Sequence, residues 1–214
     1  MKNKTPEGTA ELIISLLDEL KIDSVKVIGI SAGGLTALVL AANYPERVNS
    51  LVLISAITKK WLNPTDEVYK KGKKLFSPKI EKFTWLIYKF SFTIFPKIMT
   101  KVTFKELSKY RPVEFSNKEM NELKDMTMKM RSYNGFDNDL DQNINQDILR
   151  KIKCKTLILH SKFDNAVAFE HPENAKMNIK NSELIVFENN WGHLLWLGDN
   201  FIKPFTEIQK RWNE

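Results

Sequence analysis

The sequence predicts an α/β fold built on a parallel sheet, with helices on both faces. Four short runs rich in leucine and β-branched residues are typical of strands: Val25 to Gly29, Ser50 to Ser55, Thr156 to His160 and Glu183 to Phe187. The last three lack a clean alternation of apolar and polar residues, as expected for parallel strands covered on both faces. A nearly all-apolar helix from Leu35 to Asn43 follows the first run, and Pro45 ends it.

A further helix is predicted before the first strand. Thr5 is a typical N-cap residue, with Pro6 at the first helical position. Apolar side chains then recur on one helical face: Leu12, Ile13, Leu16, Leu17 and Leu20. We expect this face to pack on the sheet.

About ninety residues, from Ile57 to about Lys151, separate the second and third strands and show helical patterns. Ser116-Asn117-Lys118-Glu119 forms a capping box that should open a helix running toward Arg131. We predict a mostly helical cap (57–151) over the C-terminal edge of a core formed by 1–56 and 152–214. Its aromatic residues either dock on the core, which we expect, or line an apolar substrate pocket: Trp85, Tyr88, Phe90, Phe92 and Phe95.

Charge is unevenly distributed in this chain of 214 residues, whose net charge is +7. Residues 57–111 carry fourteen Lys and Arg against four Asp and Glu, which we interpret as a solvated lysine-rich face. Attraction to anionic lipid or to an acidic substrate is the alternative. No nucleic-acid-binding motif accompanies the charge, so we expect no nucleic-acid partner. The longest apolar stretch, 83–99, is interrupted by Lys89, Pro96 and Lys97 and is too short to span a membrane.

The single cysteine, Cys154, excludes an internal disulfide and fits a reducing compartment, so we expect a cytoplasmic protein. No signal peptide is visible in the first residues. Histidines and carboxylates form no recognisable ligand set, and we expect neither a metal nor a cofactor.

Gly29-Ile30-Ser31-Ala32-Gly33 is the strongest chemical signal, a G-x-S-x-G between a predicted strand and a predicted helix. Such a turn strains the serine backbone and exposes its hydroxyl, and we expect the two glycines to be needed because their positions crowd one another. The Ala32 N–H and the helix N-terminus would stabilise a developing oxyanion. The alternatives are an incidental serine or a nucleotide loop, although the glycine patterns of phosphate loops are missing.

A serine nucleophile needs a base, and the sequence offers three histidines. His193 follows the last strand on a turn and is our candidate, whereas we expect structural roles for His160 and His171. Asp164 lies four residues beyond His160 and would reach the same sheet edge, where it would hold the histidine tautomer. Asp199 competes less well because it lies beyond His193.

The chain resembles the α/β-hydrolase fold superfamily over nearly its whole length, apart from a variable cap. The resemblance rests on GISAGGLTALVLAANYPERVNSLVLIS, TLILHSKFDNAV and ENNWGHLLWLG. It implies Ser31 as nucleophile, Asp164 as acid, His193 as base, Ala32 as a backbone oxyanion donor, and Gly29 and Gly33 as the turn glycines. A serine at position 31 argues against haloalkane dehalogenase and epoxide hydrolase chemistry.

The chain departs from that pattern at its start. Only about 25 residues precede the nucleophile strand, and the His-Gly loop that usually supplies a second oxyanion donor has no counterpart. Loss of one such donor typically costs about 2.7–4 kcal/mol. We therefore predict an N-terminally shortened member whose nucleophile strand is an exposed sheet edge, open to self-association or to a partner.

The expected function is hydrolysis of an ester or related acyl bond in a small apolar substrate, through an acyl-enzyme. Amide, thioester and carbon-carbon bond substrates stay open. The alternative is a catalytically impaired fold member that binds a small ligand or a partner protein, and association with a membrane surface is a third possibility.

Overall fold

The computed structural model describes residues 4–77, 79–111, 114–129, 133–197 and 202–213. The strands are β1 (Val25–Ile30), β2 (Val48–Ile54), β3 (Lys155–Ser161) and β4 (Ser182–Phe187). The helices are α1 (Pro6–Glu19), α2 (Gly33–Asn43), α3 (Glu67–Leu75), α4 (Glu81–Ile94), α5 (Pro96–Leu107), α6 (Asn117–Lys129), α7 (Gly135–Asp139), α8 (Glu170–Asn178) and α9 (Ile202–Asn213), with a 3-10 helix at Gln146–Lys151. All four predicted strands are present.

The four strands form one parallel sheet in the order β1-β2-β3-β4. The register places Gly29 opposite Leu53, and Leu53 opposite Ile158. Because every strand runs in the same direction, the residues that follow β1, β3 and β4 meet at one edge of the sheet. The predicted α/β class and parallel sheet are confirmed.

The two central strands are covered on both faces, and the two edge strands are not. Leu51, Leu53 and Ile158 belong to a core cluster that includes the apolar side chains of α2. Val52, Ile54, Leu157 and Leu159 belong to a second cluster, with Ile208 of α9. The expectation of double coverage is wrong for β4, where Val186 is 44% exposed, because an edge strand lacks a neighbour on one side.

Within the described residues, β1 lies at one edge of the sheet, as predicted. Its inward side chains pack on the core, but Ile28 and Ile30 point to the other face and are exposed. Between them lies Gly29, which faces α2.

Helix α1 begins as predicted, because the Thr5 hydroxyl accepts a hydrogen bond from the Gly8 N–H. The predicted packing face is wrong for Leu12, Leu16 and Leu20, which are exposed. It is confirmed for Leu17, which is buried, and for Ile13, which packs on the core. Ala10 and Ile14 complete the packed side of the helix, which is therefore rotated away from the predicted centre.

The chain between β2 and β3 is helical in its described part, where a single isolated bridge, between Ser108 and Asp164, is the only β pairing. The capping box forms as predicted, with the Ser116 N–H donating to Glu119 and the Glu119 N–H donating to the Ser116 hydroxyl. Helix α6 is described as far as Lys129, and Arg131 lies outside the described residues. None of the described helices is long and apolar enough to cross a membrane.

The aromatic residues of α4 divide between two faces. Trp85 and Phe92 are buried and Tyr88 packs beside them, as expected. Phe90 and Phe95 are 64% and 55% exposed, so they do not dock on the core. The expected docking is wrong for these two residues because, within the described residues, they lie away from the side that carries the buried Trp85 and Phe92.

Candidate active site

The serine stands on a strained turn between β1 and α2. Ser31 has φ +50°, in the left-handed region that side-chain-bearing residues rarely adopt. Three backbone hydrogen bonds hold it there: its N–H donates to Ile54, and its carbonyl accepts from Gly34 and Ile57. Backbone strain of this kind persists where the surroundings fix the conformation, and it is common at functional sites.

Of the two turn glycines, Gly29 and Gly33, only the first lies where a side chain would be crowded. A Cβ on Gly29 would lie 2.7 Å from the Ala37 Cβ and 3.1 Å from the Gly34 Cα, so this position must be small. A Cβ on Gly33 would meet nothing within 4 Å, and the predicted crowding at Gly33 is wrong. The crowded neighbour is Gly34, where a Cβ would lie 2.4 Å from the Ile57 carbonyl oxygen.

The structure brings Ser31, His193 and Asp164 together in one hydrogen-bonded chain. The His193 Nδ1 lies 2.9 Å from the Asp164 Oδ2, and the His193 Nε2 lies 3.1 Å from the Ser31 Oγ. Since the carboxylate accepts, Nδ1 carries the proton, which leaves the Nε2 lone pair facing the serine hydroxyl. Asp164 and His193 are 2% and 6% exposed, so the pair is shielded from water.

The acid loop fixes the second oxygen of Asp164. Its Oδ1 accepts hydrogen bonds from the N–H groups of Ala166 (2.9 Å) and Val167 (2.8 Å). Backbone donors of this kind fix the rotation of the carboxylate. Oδ2 is thereby directed at the imidazole.

His160 lies beside this carboxylate but does not replace His193. Its Nε2 is 3.1 Å from the Val167 carbonyl and 3.5 Å from the Asp164 Oδ2. The carbonyl can only accept, so Nε2 carries the proton and His160 ties the acid loop to the end of β3. Burial lowers the pKa of His160, and the nearby Asp164 charge opposes that shift.

The end of α5 joins the acid loop to the histidine loop. The Leu107 carbonyl accepts from the N–H of His193 (2.9 Å) and from that of Asn165 (3.3 Å). The hydroxyl of the buried Ser108 donates to the Asn190 carbonyl at 2.7 Å. A segment of the inserted chain thus holds both loops at a fixed separation.

Gly192 makes this junction possible. It has φ +56°, and a Cβ there would lie 2.6 Å from both the Leu107 and the Phe163 carbonyl oxygens. Glycine is the residue that satisfies both constraints.

Ala32 follows the serine and precedes the first residue of α2. Its N–H makes no hydrogen bond within the described part of the chain. A free donor at a helix N-terminus is suited to an anion on the neighbouring serine.

The other candidate residues lie elsewhere. His171 is buried behind the loop after β2, where its Nδ1 accepts from the Thr58 N–H. Burial lowers the pKa of His171 to about 4. Asp199 lies outside the described residues. Among the described side chains, no cluster of three or more His, Cys, Asp or Glu could hold a metal ion.

Sequence reasoning missed the contribution of α5, and the structural role that it expected for His160 did not specify the partner of this residue. The Leu107 contact uses a backbone carbonyl, which leaves no trace in residue identity. His160 carried a weak signal, four residues before Asp164 at the end of a strand, but its direction depends on the turn that follows.

Comparison with known proteins decides the family. Residues 7–198 match the family model described as the alpha/beta hydrolase fold. The chain belongs to this family. The resemblance seen in the sequence is therefore confirmed for the fold.

Three proteins show how similar this alpha/beta hydrolase is to known ones. The chain is 38% identical over 201 residues to an uncharacterized hydrolase of Bacillus subtilis, YcgS. The aligned region covers 91% of this chain and 70% of that protein. It is 28% identical to 2-hydroxy-6-oxononadienedioate/2-hydroxy-6-oxononatrienedioate hydrolase 1 of Pseudomonas putida. That alignment covers 86% of this chain and 61% of the Pseudomonas protein. A solved alpha/beta hydrolase fold protein from Nakamurella multipartita superimposes with a TM-score of 0.73 at 22% identity, with 97% and 75% covered.

Proposed function

We propose that this alpha/beta hydrolase cleaves an ester or related acyl bond, with Ser31 as nucleophile, His193 as base and Asp164 as the acid that orients it. The observation that supports this most strongly is the hydrogen-bonded chain from the Ser31 Oγ to the His193 Nε2 and from Nδ1 to the Asp164 Oδ2. A serine hydroxyl is weakly nucleophilic, and this arrangement supplies the base it needs.

The first half of the reaction forms an acyl-enzyme. The Ser31 Oγ attacks the carbonyl carbon while its proton passes to the His193 Nε2. The carbonyl π electrons move to the oxygen, and the Ala32 N–H donates to the oxyanion that forms. The intermediate then collapses, the bond to the leaving alkoxide breaks, and the Nε2 proton passes to that alkoxide.

The second half releases the acid. His193 takes a proton from water, the resulting hydroxide attacks the acyl carbon, and the bond to the Ser31 Oγ breaks as Nε2 returns its proton to that oxygen. Asp164 stays ionised throughout and stabilises the imidazolium. At the end of the cycle, Ser31 and His193 have returned to their starting protonation states.

Small apolar acyl groups are the proposed substrates. The ring of Trp196 contacts that of His193 at a centroid distance of 5.8 Å. Leu194, next in the chain, belongs to an apolar cluster with Phe92 and Phe104 of the insertion. Apolar side chains around the histidine favour an apolar acyl chain over a charged one.

The test is hydrolysis of p-nitrophenyl esters by the purified protein and by Ser31→Ala. The matched control is Ser55→Ala, because Ser55 is also a serine with positive φ at the end of a neighbouring strand (φ +45°). Its hydroxyl makes no hydrogen bond in the described part of the chain. We expect Ser31→Ala to lose all measurable turnover and Ser55→Ala to keep it. Equal turnover in the two variants, or none in a well-folded parent protein, would contradict the proposal, and the latter result would favour the ligand-binding alternative.

A further inference from the structure

The outward side of α4 exposes a continuous apolar stripe. Five large side chains at helical spacing are each between 49% and 65% exposed: Phe83, Leu86, Ile87, Phe90 and Ile94. Exposed apolar residues are common singly, but a contiguous patch of this length marks an interaction surface.

The stripe continues onto α5 through a one-residue connection. Phe95, Ile98 and Val102 are 55%, 60% and 47% exposed. The inner sides of both helices pack on the same cluster, through Phe92 of α4 and Phe104 of α5. The outer sides therefore face away from a common core, and we call the exposed apolar side chains of both helices the α4–α5 face.

Within the described residues, the buried side chains of α4 lie on the side opposite this face. Trp85 and Phe92 supply the packing of α4 on the protein from the opposite side of the helix. A surface helix normally carries polar residues opposite its buried stripe. A helix that is apolar on both sides calls for a second apolar environment.

Lysines border the α4–α5 face. Lys82 and Lys89 flank the stripe on α4, and Lys97, Lys101 and Lys105 accompany it on α5. None of the five forms an ion pair within the described ranges of the chain. Their charge is left for a ligand outside the protein.

We propose that the α4–α5 face lies in the plane of an anionic lipid surface, with its apolar side chains in the acyl boundary and its lysines at the headgroups. An amphipathic segment with large apolar residues and a lysine border fits that interface. A second copy fits less well, because two such faces would bring like charges together. The helices do not span the bilayer. This binding does not depend on the proposed catalytic function.

Helix α1 provides a matched control surface. Leu12 and Leu16 are 57% and 56% exposed, so they resemble Leu86 and Phe90 in exposure. Their neighbours on α1 are acidic rather than basic, including Glu11 and Asp18. An anionic lipid surface should repel this stripe.

The test is co-sedimentation with vesicles of phosphatidylcholine alone and of phosphatidylcholine with one third phosphatidylserine, at low and high salt. We expect binding to the anionic vesicles at low salt, and weaker binding at high salt, since salt screens the lysines. Leu86→Gln with Phe90→Gln should weaken binding at least tenfold. Lys97→Gln with Lys101→Gln should weaken it about 25-fold, because each lysine near an anionic surface contributes about fivefold.

The control variant Leu12→Gln with Leu16→Gln should bind as the parent protein does. All three variants replace exposed side chains, and circular dichroism and thermal unfolding check that they fold. Absence of binding to anionic vesicles at low salt would overturn the proposal. Equal losses of vesicle binding in the α1 and α4 variants would also overturn it. So would a protein that does not bind vesicles but forms a dimer that the α4 variant disrupts.

Discussion

Asp164 and His193 are held from several directions, whereas Ser31 follows a strand at the sheet edge. The acid and histidine loops are buried and share the Leu107 carbonyl as an acceptor. Ser31 depends on the backbone of β2 and on the close packing of α2. The two sides of the site are therefore fixed by different means. Hydrogen bonds between loops fix Asp164 and His193, and close backbone contacts fix Ser31.

The largest effect is expected at the acid. Asp164→Asn should lower kcat for ester hydrolysis about ten-thousand-fold, because the amide no longer holds the Nδ1-protonated tautomer of His193. The side-chain oxygen of asparagine still accepts from the Ala166 and Val167 N–H groups, so thermal stability should change little. Asp125→Asn, on the exposed side of α6, is the control. Steady-state kinetics measure both, and a loss below tenfold in Asp164→Asn would contradict the assigned role.

The junction of the loops should fail when Gly192 gains a side chain. Gly192→Ala combines strain at φ +56° with a clash against two backbone carbonyls, and should cost about 4 kcal/mol of unfolding free energy. It should also lower activity, since His193 is the next residue. Urea unfolding measures the first effect. Parent-like stability would show that α5 does not confine this turn.

The serine side should be broken by a methyl group at Gly34 but not at Gly33. Gly34→Ala places a Cβ against the Ile57 carbonyl and should cost about 3 kcal/mol, while moving the turn that carries Ser31. Gly33→Ala has open space and should be neutral in stability and activity. Urea unfolding and ester hydrolysis of the pair test this directly. Equal behaviour of the two variants would mean that packing against Ile57 does not set the turn.

The smallest effect is the pH dependence of the free energy of unfolding that His171 causes on the serine side of the site. His171 accepts a hydrogen bond from the Thr58 N–H, next in the chain to the Ile57 N–H that donates to the Ser31 carbonyl. Among charged groups, Lys59 and Glu170 affect its pKa most. Its folded pKa of about 4 lies below the unfolded 6.5, so the unfolded chain binds the proton first as the pH falls. The free energy of unfolding should therefore decrease from pH 6.5 to 4 and level off below, with about 2 kcal/mol lost by pH 5.

The variant His171→Gln tests this by urea unfolding at pH 7.5 and pH 5. Glutamine keeps an acceptor for Thr58 but does not titrate, so the variant should lose about 2 kcal/mol less than the parent protein over that range. An identical pH dependence in both proteins would assign the acid sensitivity to other groups.

The elements and the candidate site residues could be read from the sequence because their signals are local. Apolar runs mark the strands, and the G-x-S-x-G places Ser31 between a strand and a helix. The direction of each strand then brings Asp164 and His193 to the same sheet edge. The catalytic roles of these residues stay a proposal.

Other features depend on contacts that residue order does not encode. Helix α1 is apolar over a wide arc, and its packing shows that the side with Ala10 and Leu17 is buried while Leu12 is exposed. The need for glycine at position 34 rather than 33 follows from the approach of Ile57. Likewise, the sequence shows that Phe90 is apolar but not that it is 64% exposed. The division of the chain into core and cap stays a prediction.

Reaction with a fluorophosphonate, followed by mass spectrometry of the digested protein, shows whether Ser31 is an activated nucleophile. This reagent phosphonylates a serine only when a base activates it. We expect modification at Ser31 in the parent protein and none in His193→Gln of equal thermal stability. Modification at another serine, or unchanged labelling of Ser31 in His193→Gln, would contradict the proposed roles of Ser31 and His193.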